Sequence, residues 1–379
     1  MLESRHSSDW VPSLDDPFRE NFCSKISELG LQSLSKYPVS RRGRPIGHEH
    51  RVLYRVIRGR NVQFEVSMFS QLYRAFASKQ TKTLFRGFVL GEPLFESEWS
   101  DLLGSEATRE WREHALFDEN KNTLRCRFRA FSHSGLVFLS DPRWVKVEHP
   151  VYIGRDSIIF SDFIDGSGAN FKGTHLDVGT GTGIAGLASA KRYDSVLMVD
   201  INPRAVAVAG LNATINGLGH CHAQERDVFS DAAENSRFDL VTWNLPLLFL
   251  PESERGFLAG FGGEKGIELT LKFVAMLPDL LSPSGMAVLG TSSPILFNRT
   301  NLLETRLREF FASGYMEKFD FVLYQLERDF SHPKKFHRDH GIHHFLLSML
   351  KVVPGQGTFH LRRVPVGQRG IDSVRAVFH

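Results

Sequence analysis

The segment that most restricts the fold is the apolar run His175-Leu-Asp-Val178, which passes directly into Gly179-Thr-Gly181-Thr-Gly183 and then into small, helix-compatible residues at 184–190. Alternate glycines let a chain turn sharply and bring its backbone close to a ligand where side chains would obstruct it. The pattern then repeats in kind. An apolar run at 195–199 precedes a helical pattern at 204–216, and a third run at 238–242 precedes a helix at about 266–281 and a strand at 286–289. Buried strands alternating with helices predict a parallel sheet in a doubly wound α/β domain. Two later apolar runs, 319–326 and 344–353, flank the polar stretch 327–341 and predict an antiparallel edge hairpin.

The first 145 residues have a different texture. A Ser/Asp/Pro-rich leader at 1–15 shows no apolar periodicity and is expected to be mobile. Phe18, Phe22, Ile26 and Leu29, stopped by Gly30, predict a helix, as do Val66, Phe69, Tyr73 and Phe76; a third helix starts near Glu96. From Thr123, Leu124, Cys126, Phe128 and Ala130 alternate with Arg125, Arg127 and Arg129, and Ser134-Gly135 turns into the apolar 136–139. Helices followed by a short hairpin suggest a small, mainly helical, winged-helix-like domain at 16–145. It would precede an α/β domain at 146–355 and a C-terminal extension at 356–379.

Composition narrows the function. Of 379 residues 42% are hydrophobic and 23% charged, and no window approaches the roughly 20 consecutive apolar residues of a membrane span. No membrane partner is expected, and the N-terminus lacks a signal core, so the sequence is placed in the cytoplasm. Cys23, Cys126 and Cys221 form no CxxC pair and read as reduced, buried thiols. Forty-six basic against forty-three acidic residues do not mark a nucleic-acid binder. One local run does lean that way: Lys36, Arg41, Arg42, Arg44, Arg51, Arg55, Arg58 and Arg60 face a single acid, Glu49. Such a run can grip phosphates or be a solvated face. His332, His337, His340, His343 and His344 crowd the 327–341 stretch and its end, but their spacing fits no zinc motif and no metal is expected.

The G-x-G-x-G spacing suits a ligand lacking a pyrophosphate better than a dinucleotide. Asp200 ends the second strand, where a carboxylate can accept from ribose hydroxyls, and Ile201-Asn202-Pro203 follows, itself a sensible helix start. Asp227-Val228-Phe229 stands where an adenine amino group and ring can be met. With Asp239-Leu-Val-Thr-Trp-Asn-Leu-Pro246, these segments in this order resemble class I S-adenosylmethionine-dependent methyltransferases. Among these they resemble the small-domain enzymes, which include release-factor glutamine N5-methyltransferases and N6-adenine and guanine N2 enzymes. The resemblance implies a Rossmann-like seven-stranded sheet and S-adenosyl-L-methionine as cofactor, with S-adenosyl-L-homocysteine as product. It implies cofactor contacts from Asp177, Gly179, Thr180, Gly181, Thr182, Gly183, Asp200, Ile201, Asn202, Asp227, Val228 and Asn244.

It also implies that Asn244 and the carbonyl of Leu245, followed by Pro246, accept hydrogen bonds from a target NH2 and turn its lone pair toward the methyl. The sequence departs from the family here. The nitrogen-methylating pattern is Asn/Asp-Pro-Pro-Tyr/Phe, whereas this chain has Asn244-Leu-Pro-Leu247, so no ring at 247 stacks on a base, and Trp243 or Phe249 is the candidate substitute. Tyr152 and Asp156 before the first strand, and Gly263 after the acceptor segment, resemble substrate-side elements. For an oxygen acceptor His149, Asp156 and Glu264 are the candidate bases. The leading expectation is N-methylation of a small molecule, peptide or protein. RNA or DNA base methylation aided by the basic run, and a non-catalytic cofactor-binding module, are the alternatives.

Overall fold

The structure, a computed structural model, describes residues 10–13, 16–32, 78–142, 147–167, 172–230, 237–254, 260–312, 314, 317–331 and 334–364. The basic run, the helix expected at 66–77, His332 and the leader's first nine residues lie outside them. The chain divides into two units, one of Met1–Arg155 with Ala207–Gly219, the other of Asp156–Val206 with His220–His379.

In the first unit Phe18–Glu28 is a helix, as its period predicted, and it buries Phe22 and Ile26 completely. Lys79–Leu84 runs into a π-helical turn that Gly91 ends at φ +65°. A short strand β1 (Leu94–Phe95) leads to helices Glu96–Leu103 and Ser105–Glu113, then to β2 (Phe117–Asn120) and β3 (Thr123–Cys126), in sheet order β1-β3-β2. The single alternating strand expected from 123 is broken at 127–128. Its second half, β4 (Arg129–His133), pairs instead with β5 (Leu136–Ser140) through the predicted Ser134-Gly135 turn. Phe128 at the break packs edge-on or tilted against Phe22, Trp10 and Trp111, so the aromatic core fixes the bend. The helix Ser105–Glu113 carries Glu106, Glu110 and Glu113 beside its arginines, and Arg112 is paired with Glu96 and Glu119. Its face is therefore mixed in charge rather than basic.

The second unit is built on an eight-stranded sheet of order β13-β11-β12-β10-β9-β6-β7-β8. The strands are β6 (Thr174–Val178), β7 (Ser195–Asp200), β8 (Cys221–Glu225), β9 (Phe238–Asn244), β10 (Leu281–Leu296), β11 (Phe319–Ser331), β12 (Ile342–Pro354) and β13 (Phe359–Val364). β6 to β9 run parallel with the start of β10, and β12 alone is reversed between β10 and β11. The predicted antiparallel pair is present but is not the edge: residues 359–364, expected in a C-terminal extension, add an eighth strand parallel to β11. β8 escaped the sequence pattern because an edge strand reading Cys-His-Ala-Gln-Glu buries little more than Cys221. The helix Arg155–Gly166 also went unpredicted. Over one sheet face the helix Glu268–Leu280 buries Phe273, Val274 and Leu277 against Val241, Ala287 and Leu289. Each such side chain contributes about 1.5–3 kcal/mol of burial.

This topology marks a candidate site before any side chain is considered. The order reverses between β6 and β9, and ligands of open α/β sheets bind in the crevice beyond the carboxyl ends of strands at that switch point. Gly179 follows β6, Asp200 ends β7 and Asn244 ends β9, so the expected residues converge on that crevice.

Candidate active site

The glycine turn is held from below. Gly179 and Gly181 have φ +56° and Gly183 +79°, all left-handed. A Cβ on Gly179 would lie 2.5 Å from Nε1 of Trp243, and one on Gly183 2.9 Å from Leu187. A Cβ on Gly181 would meet nothing within 4 Å. The three glycines therefore do different work: the outer two admit neighbouring side chains, and Gly181 faces open space.

Asp177 is not free to face a ligand. It is 1% exposed, and its oxygens accept from Thr180 Oγ1 (2.6 Å), the Gly186 amide (3.1 Å) and Thr242 Oγ1 (2.7 Å). Expected at the cofactor from the sequence, its carboxylate here clamps the turn to β9. Thr180 and Thr182, also expected at the cofactor, are 6% and 3% exposed, and the Thr180 hydroxyl is spent on Asp177. Behind Asp177, Thr242 Oγ1 also meets His175 Nε2 at 2.7 Å, and Ser189 Oγ meets His175 Nδ1 at 3.1 Å. Because Thr242 gives its one proton to Asp177, it accepts from His175, which fixes the neutral Nε2–H tautomer.

Burial pushes Asp177 up to about 6, opposed by hydrogen bonds from Thr180, Thr242 and Gly186, and pushes His175 down to about 3, aided by Arg192. The two act oppositely on stability. His175 costs stability as pH falls from 6.5 toward 3, because only the unfolded chain takes up its proton, whereas Asp177 costs stability as pH rises from 3.8 through 6. Between pH 4 and 6 the slopes cancel. His175→Gln is expected to expose the Asp177 slope, so that the variant gains stability toward acid by about 1.4 kcal/mol per pH unit. Urea titrations at pH 4, 5 and 6 measure it; parallel profiles for variant and parent would refute it.

Asp200, expected at the ribose, is held by backbone amides alone. Its Oδ2 accepts from the Gly181 amide and its Oδ1 from the Asn202 amide, both at 3.0 Å. Burial raises its pKa and these backbone donors oppose the shift, so further hydroxyl donors from a ligand would stabilise its charge. Ile201 beside it is 51% exposed, an apolar surface at a strand end. Asn202 caps the helix Pro203–Ile215 by accepting from the Arg204 amide, its predicted structural role. Asp227 accepts from the Phe229 amide and the Ser230 hydroxyl, the hydroxyl contributing most to a lowered pKa. Val228 is buried, and Lys272 Nζ stands 3.9 Å over the Phe229 ring.

At the end of β9 the two face directions separate. Trp243, the candidate substitute ring, points into the core, edge-on to Phe273 at 4.7 Å and beneath Gly179. Asn244 points the other way. Its Nδ2 donates to Asp156 Oδ2 at 3.1 Å, while its buried Oδ1 has no partner. Gly290 opposite leaves the room: a Cβ there would lie 2.5 Å from that oxygen. A glycine inside a strand signals such close approach, and it was the cue available in the sequence. The following residues are packed. Leu245 donates its amide to Gly290 O and is 2% exposed, and the Leu247 carbonyl accepts from Ser292 Oγ. Phe249 packs on Phe336, Ile342 and Phe345, and its carbonyl binds His337 Nε2. Gly262 and Gly266 admit the Pro246 and Leu247 carbonyls, and the Glu268 carboxylate caps the Glu264 amide beside Gly263. Gly263 thus serves loop packing. Of the histidines, His340 bonds Phe336 O and His343 meets His344 at 2.7 Å. Tyr152 and His149 belong to the first unit.

The chain matches the family model for the methyltransferase small domain over residues 162–252. It is 32% identical over 152 residues to human methyltransferase HEMK2, covering 36% of this chain and 69% of that protein. The chain belongs to the methyltransferase small domain family. It is a methyltransferase that depends on S-adenosylmethionine. It is also 29% identical over 105 residues to the tRNA1(Val) (adenine(37)-N6)-methyltransferase of a Flavobacteriaceae bacterium, covering 27% of this chain and 44% of that one. The tRNA m1G37 methyltransferase of M. jannaschii is a structural neighbour at TM-score 0.40 and 14% identity, covering 61% of this chain and 57% of that chain. The residues fit the methyltransferase cofactor: open space in front of Gly181, an acid at Asp200 and an apolar flank at Ile201 suit a ribose and a base. None of the described helices is long and apolar enough to cross a membrane.

Proposed function

We propose that the chain methylates a nitrogen bearing at least one hydrogen, in a small molecule, peptide or protein. The observation that carries this reading is the buried, unpartnered Oδ1 of Asn244. Leaving such an acceptor unsatisfied costs about 1–3 kcal/mol, and an incoming N–H removes the cost. Accepting that proton turns the nitrogen lone pair toward the methyl. S-adenosylmethionine supplies an already electrophilic methyl, so the protein's task is orientation and exclusion of water. Asp200 and the Gly181 turn hold the ribose side, Ile201 and Phe229 flank the adenine, and Asn244 with the Leu245 carbonyl orients the acceptor.

The packing around Asn244 supports an amide or amine over a base. Leu247, Phe249 and Trp243 are 5%, 5% and 7% exposed, so none presents a ring face on which a base would stack. Stacking is worth about 1–3 kcal/mol per base. The mixed charge of Ser105–Glu113 points the same way. Base methylation is the second reading, favoured by the likeness to a tRNA adenine-N6 enzyme. Free, buried Cys23, Cys126 and Cys221 support a cytoplasmic setting. Cell extract incubated with the protein and tritiated S-adenosylmethionine should label material that protease or small-molecule extraction removes and ribonuclease leaves. Label lost to ribonuclease would favour the base reading and reject the first.

A further inference from the structure

We propose that Asp156 is a positioning residue for methyl transfer: it dictates which end of the Asn244 amide is offered to the acceptor. This rests on the N-methyltransferase reading. An asparagine amide has a donating and an accepting end of nearly equal size, and its two flips differ in energy only through their neighbours. A carboxylate has no hydrogen to give when ionised. With Asp156 Oδ2 3.1 Å away, only Nδ2 can face it, which drives Oδ1 to the opposite side. There Oδ1 is buried, has no partner and lies over the strand where Gly290 lacks a Cβ. The flipped amide would set two oxygens together and present N–H groups to an acceptor that itself brings N–H. Both contacts would be repulsive, and the nitrogen lone pair would be drawn away from the methyl.

Three features thus serve one orientation: the carboxylate near the start of the helix Arg155–Gly166, the amide at the end of β9, and the bare backbone of β10. Asp156 need not touch the acceptor.

The test needs no knowledge of the acceptor. Sinefungin carries an amine in place of the transferable methyl, so its N–H groups meet the Asn244 oxygen, whereas S-adenosylhomocysteine has nothing there. Calorimetry of both ligands is run on the full chain, on Asp156→Ala and on Asp156→Asn. Asp156→Ala is expected to bind S-adenosylhomocysteine within about twofold of the parent and to lose at least tenfold in sinefungin affinity. Asp156→Asn keeps an accepting oxygen without the charge and should hold sinefungin within about threefold, which separates orientation from simple attraction between charges. Equal effects on the two ligands, no effect on either, or equal sinefungin losses in Asp156→Asn and Asp156→Ala overturn the proposal. Failure of the parent to bind either ligand instead overturns the cofactor site itself.

Discussion

Gly181→Val is expected to abolish S-adenosylmethionine binding, weakening it by more than a hundredfold, while the protein stays folded. The left-handed φ of +56° costs a β-branched residue about 1–3 kcal/mol, and the protein offers nothing within 4 Å that a Cβ would strike. The added methyls project into the space the ligand must occupy. They also disturb the amide that Asp200 holds at 3.0 Å. Gly179→Ala provides the contrast, for its Cβ would press 2.5 Å from Trp243 Nε1. That variant should lose stability outright, by about 1–3 kcal/mol beyond the backbone strain, as overpacked sites do. Calorimetric titration with thermal unfolding distinguishes them: one variant loses ligand, the other loses melting temperature. Retained binding in Gly181→Val would remove this turn from the cofactor site.

The parts of this fold that were legible in the sequence are those where one chemical demand acts on a contiguous stretch. Glycines 179, 181 and 183 announce a turn because only a left-handed backbone serves there, and β6, β7 and β9 announce themselves because strands buried on both faces must be apolar. β8 and β13 are edge strands, where half the residues meet water, and their pattern fades. The site divides along the same line. Asp200 and Asn244 follow from strand ends and the switch point. Whether an acid faces a ligand or the protein does not follow from its place in the chain. Asp177 and Asp200 both sit toward the carboxyl ends of neighbouring parallel strands, yet a hydroxyl 65 residues away at Thr242 engages the first, whereas the second accepts from the backbone amides of Gly181 and Asn202. The same limit hid the neighbours of Trp243 and Asp156, both candidates from the sequence. Neighbouring residues at the end of a strand point to opposite faces, so Trp243 packs beneath the turn while Asn244 turns to the other side, and the carboxylate that Asn244 meets lies 88 residues earlier.

Asn244→Ala should reduce methyl transfer by about 10²–10³-fold, the loss typical of one preorganised hydrogen-bonding group at a reacting centre, with S-adenosylmethionine affinity unchanged within about threefold. The side chain touches Asp156 and the space over Gly290, and no hydrogen bond ties it to the turn after β6 or to Asp200, so the two effects separate. Single-turnover transfer to the material labelled by the parent enzyme measures the first quantity and calorimetry the second. Asn244→Asp sharpens the argument. It keeps an accepting oxygen but sets a second carboxylate against Asp156 at the distance of the present hydrogen bond, and like charges so close favour sharing a proton. Its residual activity should therefore rise as pH is lowered, because the shared proton restores a donor toward Asp156 and leaves an oxygen for the acceptor. The alanine variant has no group that can respond in this way and should show no such recovery. Equal activity of the parent and Asn244→Ala would mean that the unpartnered oxygen plays no part in orienting the acceptor, and the nitrogen reading would fall with it.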